Sequence, residues 1–231
     1  MRYSEAVRRL ATLPTTLPAP PDVLMPVRLD TGERRRPAIP FGPETARAAA
    51  VLVLITPDRD FVVSDGAGPD GGPDGEPPPD AEAEVVLIER VGGEGPHSGQ
   101  ISFPGGKADP DDVDLEATAL REAAEEVGLD ARAARVRIVG QLETFWIPVS
   151  DYRVTPYLAF AGRPPALRRQ PSEVASIVRA PLEAFRPSAP IEIVEDEIRD
   201  FRLRYGAYPV DGFRIWGATA RILGQLGALL G

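Results

Sequence analysis

Runs of apolar residues separated by polar breaks divide the chain into strand-like and helix-like segments. ARAAAVLVLIT at 46–56 is a mostly apolar run with β-branched residues near its end, which predicts a buried strand. VVLIER at 85–90 predicts a second strand, so the two would form a hairpin with a long insertion at its tip. Further strands are predicted at 100–103, 136–145, 152–160 and 174–178, followed by an alternating hairpin at 191–205.

Helical periodicity is clearest in the segment that ends at Val127. Asp112 or Asp114 would cap its start, and Gly128 would stop it. Its apolar positions recur every four residues, at Leu115, Ala119, Ala123 and Val127. Other helices are predicted at the beginning of the chain, at PLEAF with Pro181 as its first helical residue, and at 213–230. The elements together predict an α/β protein in which helices enclose a mixed sheet.

The composition excludes several kinds of protein and site. The chain has 231 residues, of which 43% are hydrophobic, enough for one large domain. No apolar run reaches the roughly 18 residues of a membrane helix. The absence of cysteine excludes disulfides and thiolate chemistry, and a single histidine, His97, gives poor support to a Ser-His-Asp triad. A divalent metal would depend mostly on carboxylates, which favours magnesium, manganese or calcium.

The net charge of −9 is concentrated in one segment. Residues 64–84 contain seven acids, no bases, five glycines and five prolines, and subtracting those seven charges leaves −2. We predict a disordered acidic loop here, so the charge says little about a partner. We expect neither a nucleic-acid nor a membrane partner. The first residues, MRYSEAVRRLATLP, lack the apolar core of a signal peptide, so we expect a cytoplasmic protein. Because this segment contains arginines and is weakly amphipathic, an organellar address is the alternative to a first structural helix.

The chain is expected to divide into two parts. Residues 1–45 would form a short helix and a proline-rich strap, LPTTLPAPPDVLMPV, ahead of a main domain at 46–231. Whether the strap covers the functional site or a partner subunit stays open, as does the formation of a homodimer.

Three glutamates share one face of the predicted central helix. At about 100° per residue, Glu122, Glu125 and Glu126 fall within an arc of about 100°. Like charges at this spacing destabilise a helix, and a divalent cation is the simplest compensation. Arg121 could orient these carboxylates through charge-assisted hydrogen bonds. From these residues alone, the alternative is an ordinary solvated acidic face.

The glycines before this helix give the pattern a more specific meaning. REAAEEVGL at 121–129, preceded by Gly105-Gly106, resembles the Nudix box: Gly, five residues, Glu, seven residues, then Arg-Glu-apolar-X-Glu-Glu-X-Gly-apolar. Eight positions match: Gly106, Arg121, Glu122, Ala123, Glu125, Glu126, Gly128 and Leu129. Asp112 stands where the first Glu of the box belongs, and eight residues rather than seven separate it from Arg121. These departures put Asp112 in doubt as a metal ligand.

The flanking sequence resembles one subfamily. HSGQISFPGGK at 97–107, after LIER at 87–90, is similar to the signature of coenzyme A-type Nudix pyrophosphatases. Three later segments, VTPY at 154–157, PSEV at 171–174 and IWGATA at 215–220, are similar to later landmarks of that group. The resemblance covers most of the chain beyond residue 45, apart from the acidic loop.

The resemblance implies a fold and an activity. The fold would be a Nudix-type α/β/α sandwich on a mixed sheet, here with an N-terminal extension and a flexible acidic insertion. The activity would be Mg²⁺- or Mn²⁺-dependent hydrolysis of coenzyme A or its thioesters to 3′,5′-ADP and (acyl-)4′-phosphopantetheine. The alternatives are hydrolysis of another nucleoside diphosphate derivative, such as NADH, ADP-ribose or an oxidised nucleotide, and a nucleotide-sensing module without turnover. A pure binder, however, has no need of clustered carboxylates that repel one another.

Residue roles follow from the chemistry and the resemblance together. Metal ligands would be the side chains of Glu122, Glu125 and Glu126, with the carbonyl group of Gly106 added by the resemblance. Arg121 would orient the helix carboxylates. The general base would be Glu173, which matches a base or ligand position in related enzymes, or else Glu125. Candidate substrate contacts are Arg90, His97 and Lys107. Their alternatives are an ion pair for Arg90, a loop hydrogen bond for His97, a solvated side chain for Lys107 and an exposed loop acid for Glu173.

Overall fold

The protein is described by a computed structural model at residues 1–32, 42–58, 80–92, 99–198 and 201–231. Its α-helices are α1 (Tyr3–Leu10), α2 (Leu115–Val127) and α3 (Gly217–Leu230), and 3₁₀ turns lie at Asp22–Leu24 and Leu182–Phe185. The strands are β1 (Val27–Arg28), β2 (Arg47–Pro57), β3 (Ala83–Arg90), β4 (Ile101–Ser102), β5 (Gly105–Lys107), β6 (Val136–Gln141), β7 (Phe145–Ile147), β8 (Tyr152–Ala161), β9 (Val174–Pro181), β10 (Glu192–Ile198), β11 (Phe201–Val210) and β12 (Phe213–Ile215). No helix in these ranges is long and apolar enough to cross a membrane.

The larger sheet is mixed and is built around β2, the first apolar run of the sequence. Strand β2 pairs in parallel with β8 along its length, from Arg47 opposite Tyr152 to Ile55 opposite Phe160. It pairs antiparallel with β3 only near its end, at residues 55–57, which confirms the predicted hairpin. Nearer its start β2 pairs with β5 instead, while β3 pairs with β4. The divergence of β2 and β3 therefore leaves room for the glycine-rich segment between them.

Helices cover both faces of this sheet. On one face, Ala119, Ala123 and Val127 of α2 pack against Leu52 and Leu54 of β2. The opposite face packs against α1, α3 and part of a second, smaller sheet ordered β1-β11-β10, with β12 beside β11. The predicted α/β architecture, with a mixed sheet between helices, is confirmed.

The N-terminal segment packs into the core on the α3 side. Leu10 and Leu24 are fully buried there, at 1% and 0% exposure. The side chain of Gln225 in α3 joins this segment to the sheet: it donates to the carbonyl of Pro18 and accepts from the backbone N–H of Glu143. The proline-rich strap thus packs against α3 and is hydrogen-bonded to it through Gln225, and the division of the chain at residue 45 stays a prediction.

The end of the acidic segment is more ordered than the sequence predicts. Glu82 forms an isolated bridge with Arg2, and the backbone N–H of Ala83 donates to the carbonyl of Met1. Strand β3 consequently begins at Ala83, inside the segment predicted to be disordered. Most of that segment, residues 64–79, lies outside the described residues.

A proline breaks the single strand predicted at 136–145 into two. Strand β6 ends at Gln141, and β7 begins at Phe145. Between them the N–H of Leu142 donates to the carbonyl of Pro156 in β8. Because proline has no N–H to donate in return, the ladder cannot continue at this point.

Two predicted helix starts were wrong. Phe213–Ile215 forms β12 against β11, so α3 begins only at Gly217 and Trp216 is its N-cap. Pro181 still belongs to β9, and its ψ of 128° makes it the residue before the 3₁₀ turn rather than the first helical residue. In both cases strand pairing extends the sheet further than the local pattern indicates.

A close helix contact gives a test of the packing on this face. A Cβ atom at Gly227 of α3 would overlap the carbonyl oxygen of Phe185. Alanine normally stabilises a helix by about 1 kcal/mol relative to glycine. We expect Gly227→Ala instead to lower the free energy of unfolding by about 2 kcal/mol, because a backbone atom cannot move aside cheaply. Urea unfolding measures this change.

Gly224→Ala provides the matched control in the same helix. There the added Cβ would lie 2.5 Å from Cδ1 of Leu24 and 2.9 Å from Cδ of Pro21, which are side-chain atoms rather than the backbone carbonyl met at Gly227. The loss of stability should therefore be smaller than at Gly227. A Gly227→Ala protein as stable as the native one would contradict this packing.

Candidate functional site

Two glycines allow β5 to pass close to both the sheet and helix α2. Gly105 has φ of 151°, and a Cβ there would lie 2.5 Å from the Cα of Val51. A Cβ at Gly106 would lie 2.5 Å from each carboxylate oxygen of Glu122. Glycine at both positions therefore brings the β5 backbone directly against the acidic face of α2.

Glu126 is the buried member of that face. It is 1% exposed, and the backbone N–H of Gly105 donates to its Oε2 at 2.9 Å. Nη1 of Arg90 donates to its Oε1 at 3.1 Å. Burial nevertheless raises the pKa of Glu126 to about 7, with further contributions from the charges of Glu122 and Glu173, because the two donors only partly compensate the lost hydration.

The other two glutamates are progressively more exposed. The side chain of Glu122 is 16% exposed, and burial raises its pKa, an effect that Arg121 partly offsets. The side chain of Glu125 is 60% exposed. The acidic face of α2 thus runs from a buried carboxylate to a solvated one within a single helical turn.

Arg121 connects the helix with the turn that precedes it. Its Nη1 donates to Glu122 at 3.0 Å and to Glu125 at 3.2 Å. Its Nε and Nη2 donate to the two carboxylate oxygens of Asp112 at 2.9 and 3.0 Å, and Nη2 also donates to the carbonyl of Lys107 at 3.1 Å. One guanidinium therefore holds two carboxylates of the acidic face and β5 in a fixed relation.

Asp112 is the fixed counter-charge of Arg121. Its side chain is only 8% exposed, and it also accepts hydrogen bonds from the N–H of Asp109 and the hydroxyl of Thr118. Arg121 holds the pKa of this carboxyl well below its usual range. The helix cap is Asp114, which accepts from the N–H of Ala117 at 2.8 Å and so settles the choice between the two aspartates.

The turn before β9 brings Glu173 to the end of α2. The N–H of Arg168 donates to the carbonyl of Val127, and the N–H of Gln170 donates to the carbonyl of Glu126, each at 2.8 Å. These bonds satisfy carbonyl groups that the helix end leaves free. The negative charge of the exposed Glu173 contributes to the raised pKa of both Glu122 and Glu126. Its carboxylate therefore lies close enough to the acidic face of α2 to interact with both glutamates.

The three predicted substrate contacts, Lys107, Arg90 and His97, differ in their surroundings. The side chain of Lys107 is exposed beside the acidic face, and its backbone carbonyl is the acceptor for Arg121. Arg90, 37% exposed, forms the ion pair with Glu126 that the sequence left as an alternative to a phosphate contact. His97 lies outside the described residues.

The donors of this face suit a divalent cation. Within the described ranges, no three acidic or histidine side chains are already gathered as a metal cluster. Guanidinium groups instead contact the three glutamates. Carboxylate oxygens are the ligands that Mg²⁺ and Mn²⁺ prefer, and a cation would remove the cost of ionising the buried Glu126. Glu122, Glu125 and Glu126 therefore have the chemistry to hold such an ion.

Two features of the site were not predicted. The amide of Gly105 is the direct partner of Glu126, and the only sequence signal for it was the adjacent glycine pair. The contact of Gln170 with the end of α2 joins residues far apart in the sequence and has no local signal.

Burial of Glu126 makes the stability of the metal-free protein depend on pH. Its pKa is about 7 in the folded protein against an ordinary 4.5, so the folded state retains a proton that the unfolded state releases. The free energy of unfolding therefore falls as the pH rises from about 4.5 to about 7. The Glu126→Gln variant has no carboxylate at this position and so does not lose this stability. The difference in free energy of unfolding between the variant and the native protein should therefore shift by about 3 kcal/mol in favour of the variant across that window. Urea unfolding in the presence of a chelator measures the difference.

Glu125→Gln is the control for this experiment, since its side chain is 60% exposed on the same helical face. Its stability should follow that of the native protein across the window. A Glu126→Gln protein that also runs parallel to the native one would mean that Glu126 is ionised in the folded state at no cost.

Comparisons with known proteins identify the family of the chain. The NUDIX domain model matches residues 78–199, more than half of the chain. A protein of Photorhabdus laumondii described as an uncharacterized Nudix hydrolase NudL is 37% identical over 133 residues, covering 56% of this chain and 68% of the relative. The NudL of Yersinia pestis is 33% identical over 145 residues, covering 63% and 71%.

Solved structures show a more distant similarity. A MutT/nudix family protein from Enterococcus faecalis is 18% identical, with a TM-score of 0.47, and the match covers 82% of this chain and 63% of that protein. Such a similarity carries no argument about substrate. The family model and the curated relatives are sufficient for the assignment: the chain belongs to the Nudix hydrolase family.

Proposed function

We propose that this Nudix hydrolase cleaves the diphosphate of coenzyme A or its thioesters, giving 3′,5′-ADP and (acyl-)4′-phosphopantetheine. The observation that supports hydrolytic activity is the close contact between the acidic face of α2 and the backbone of Gly105 and Gly106. The observation that favours coenzyme A is the similarity of HSGQISFPGGK at 97–107 to the signature of coenzyme A-type members. The substrate is accordingly a small molecule, as expected for a nucleoside diphosphate derivative.

Hydrolysis of a diphosphate requires an oxygen to attack a group that carries negative charge. When bound, Mg²⁺ or Mn²⁺ would neutralise that charge and lower the pKa of bound water. We assign its ligands to Glu122, Glu125 and Glu126, with the Gly106 carbonyl added by resemblance. Arg121 keeps two of these carboxylates in place through Nη1. Arg90 and the Gly105 amide fix the third.

A general base must lie beside the attacking water, and Glu173 is the better candidate. Its carboxylate is exposed near the acidic face and has no ion-pair partner among the described residues. Glu125, the competing candidate, is already bound to Arg121 at 3.2 Å.

The pH dependence of kcat/KM tests this choice. If Glu173 is the base, its protonation causes the fall in kcat/KM at low pH, so this fall should disappear in Glu173→Gln and remain in Glu125→Gln.

Removing a carboxylate of the acidic face should reduce turnover far more than it affects folding. We expect Glu125→Gln or Glu126→Gln to lower kcat by at least about 100-fold, the scale of losing a main electrostatic element of an active site. Steady-state hydrolysis with Mg²⁺ or Mn²⁺ measures the loss, and circular dichroism checks the fold. Glu116→Gln, on the same helix beside the separate pocket lined by Leu120 and Ile138, should remain near the native rate.

The substrate assignment is tested by comparing ADP-linked compounds under the same metal. We expect kcat/KM to be higher for coenzyme A than for dephospho-coenzyme A, ADP-ribose or NADH. Mass analysis of the products should show 3′,5′-ADP. A preference for ADP-ribose or NADH would reject coenzyme A and leave a Nudix hydrolase of another nucleoside diphosphate derivative. Binding of nucleotides with no product at all would favour a sensing module.

A further inference from the structure

The turn that carries Glu173 also presents an arginine at the rim of the site. Nη1 of Arg169 donates to the carbonyl of Val174 at 3.1 Å. Val174 begins β9 and stands opposite Arg90 in the β3–β9 ladder. Arg169 is therefore attached to the strand end that lies between Glu173 and the Arg90–Glu126 ion pair.

This guanidinium is engaged differently from the other arginines of the site. Arg121 is held by Asp112, Glu122 and Glu125, and Arg90 is held by Glu126. Arg169 makes a single side-chain hydrogen bond, to a backbone carbonyl, and forms no ion pair within the described part of the chain. One edge of its guanidinium is thus fixed, while the other N–H groups remain available to a ligand.

The neighbouring Arg168 lacks this arrangement. Its backbone N–H donates to the carbonyl of Val127, but its exposed side chain makes no hydrogen bond or ion pair with the described residues. The two arginines are adjacent in sequence and equal in charge. They differ in whether the guanidinium is anchored beside the site, so they form a matched pair.

We propose that Arg169 determines specificity by binding a substrate phosphate that lies outside the hydrolysed diphosphate. The inference rests on the proposed function, in which that group is the 3′-phosphate of coenzyme A. A guanidinium offers parallel N–H groups that match a phosphate, and anchoring one edge reduces the entropy lost when the ligand binds. In the proposed function the diphosphate would lie against the acidic face and a bound divalent cation, so a monophosphate ester is the anion left for a cation at the rim.

The test compares two substrates in three variants. For Arg169→Ala we expect the ratio of kcat/KM for coenzyme A to that for dephospho-coenzyme A to fall about tenfold, the scale of one hydrogen-bonded contact to a charged group. The change should appear in KM rather than in kcat. Arg169→Lys should keep part of the preference, since it keeps the charge but loses the planar pair of donors. Arg168→Ala should keep the native ratio.

Nucleotide binding separates failure of this inference from failure of the proposed function. Calorimetry on the native protein should show tighter binding of 3′,5′-ADP than of 5′-AMP, and Arg169→Ala should abolish that difference. This result would support the role of Arg169 even if coenzyme A were not hydrolysed, which would reject only the proposed function. An unchanged substrate ratio and an unchanged binding difference in Arg169→Ala would overturn the inference while leaving the proposed function in place.

Discussion

The site depends on one costly feature, a carboxylate buried under the backbone of a glycine-rich strand. Glu126 is 1% exposed and receives hydrogen bonds from Gly105 and Arg90. Gly105 can donate only because β2 and β3 diverge and let β5 enter between them. The backbone carbonyl of Glu126 also fixes Gln170, and with it the turn that carries Glu173. The hydrogen bonds of Glu126 therefore connect the sheet and helix α2 with the turn that carries the candidate base.

The like charges on α2 are compensated within the protein by guanidinium groups. Arg121 balances Glu122 and Glu125, and its own orientation is set by the two-point contact with Asp112. In this way the chain accommodates the aspartate and the one inserted residue before the helix. The side chain in that position meets Arg121 from the preceding turn, and the helical glutamates keep their spacing. The insertion thus changes a loop and leaves the acidic face intact.

Local patterns predicted the parts of the fold that local forces determine. The apolar run of β2, the four-residue stripe of α2 and the cap and stop at Asp114 and Gly128 all appear in the structure. The acidic face followed from helical spacing alone. Pairing across the sheet could not be predicted in the same way: the break between β6 and β7 depends on Pro156, and β12 exists because β11 lies beside it. The anchoring of Arg169 likewise depends on a backbone carbonyl brought close by the sheet.

The central claim is that the buried carboxylate of α2 binds a divalent cation, and proton release on binding tests it most directly. Titration calorimetry with Mn²⁺ in buffers of different ionisation enthalpy counts the protons released. Because burial raises the pKa of Glu126 to about 7, the native protein should release close to one proton at about pH 6 and almost none at about pH 8.5. Glu126→Gln should bind more weakly and release fewer protons at about pH 6 than the native protein, since only the raised pKa of Glu122 remains. Equal affinity and equal proton release in the native protein and Glu126→Gln would contradict the account.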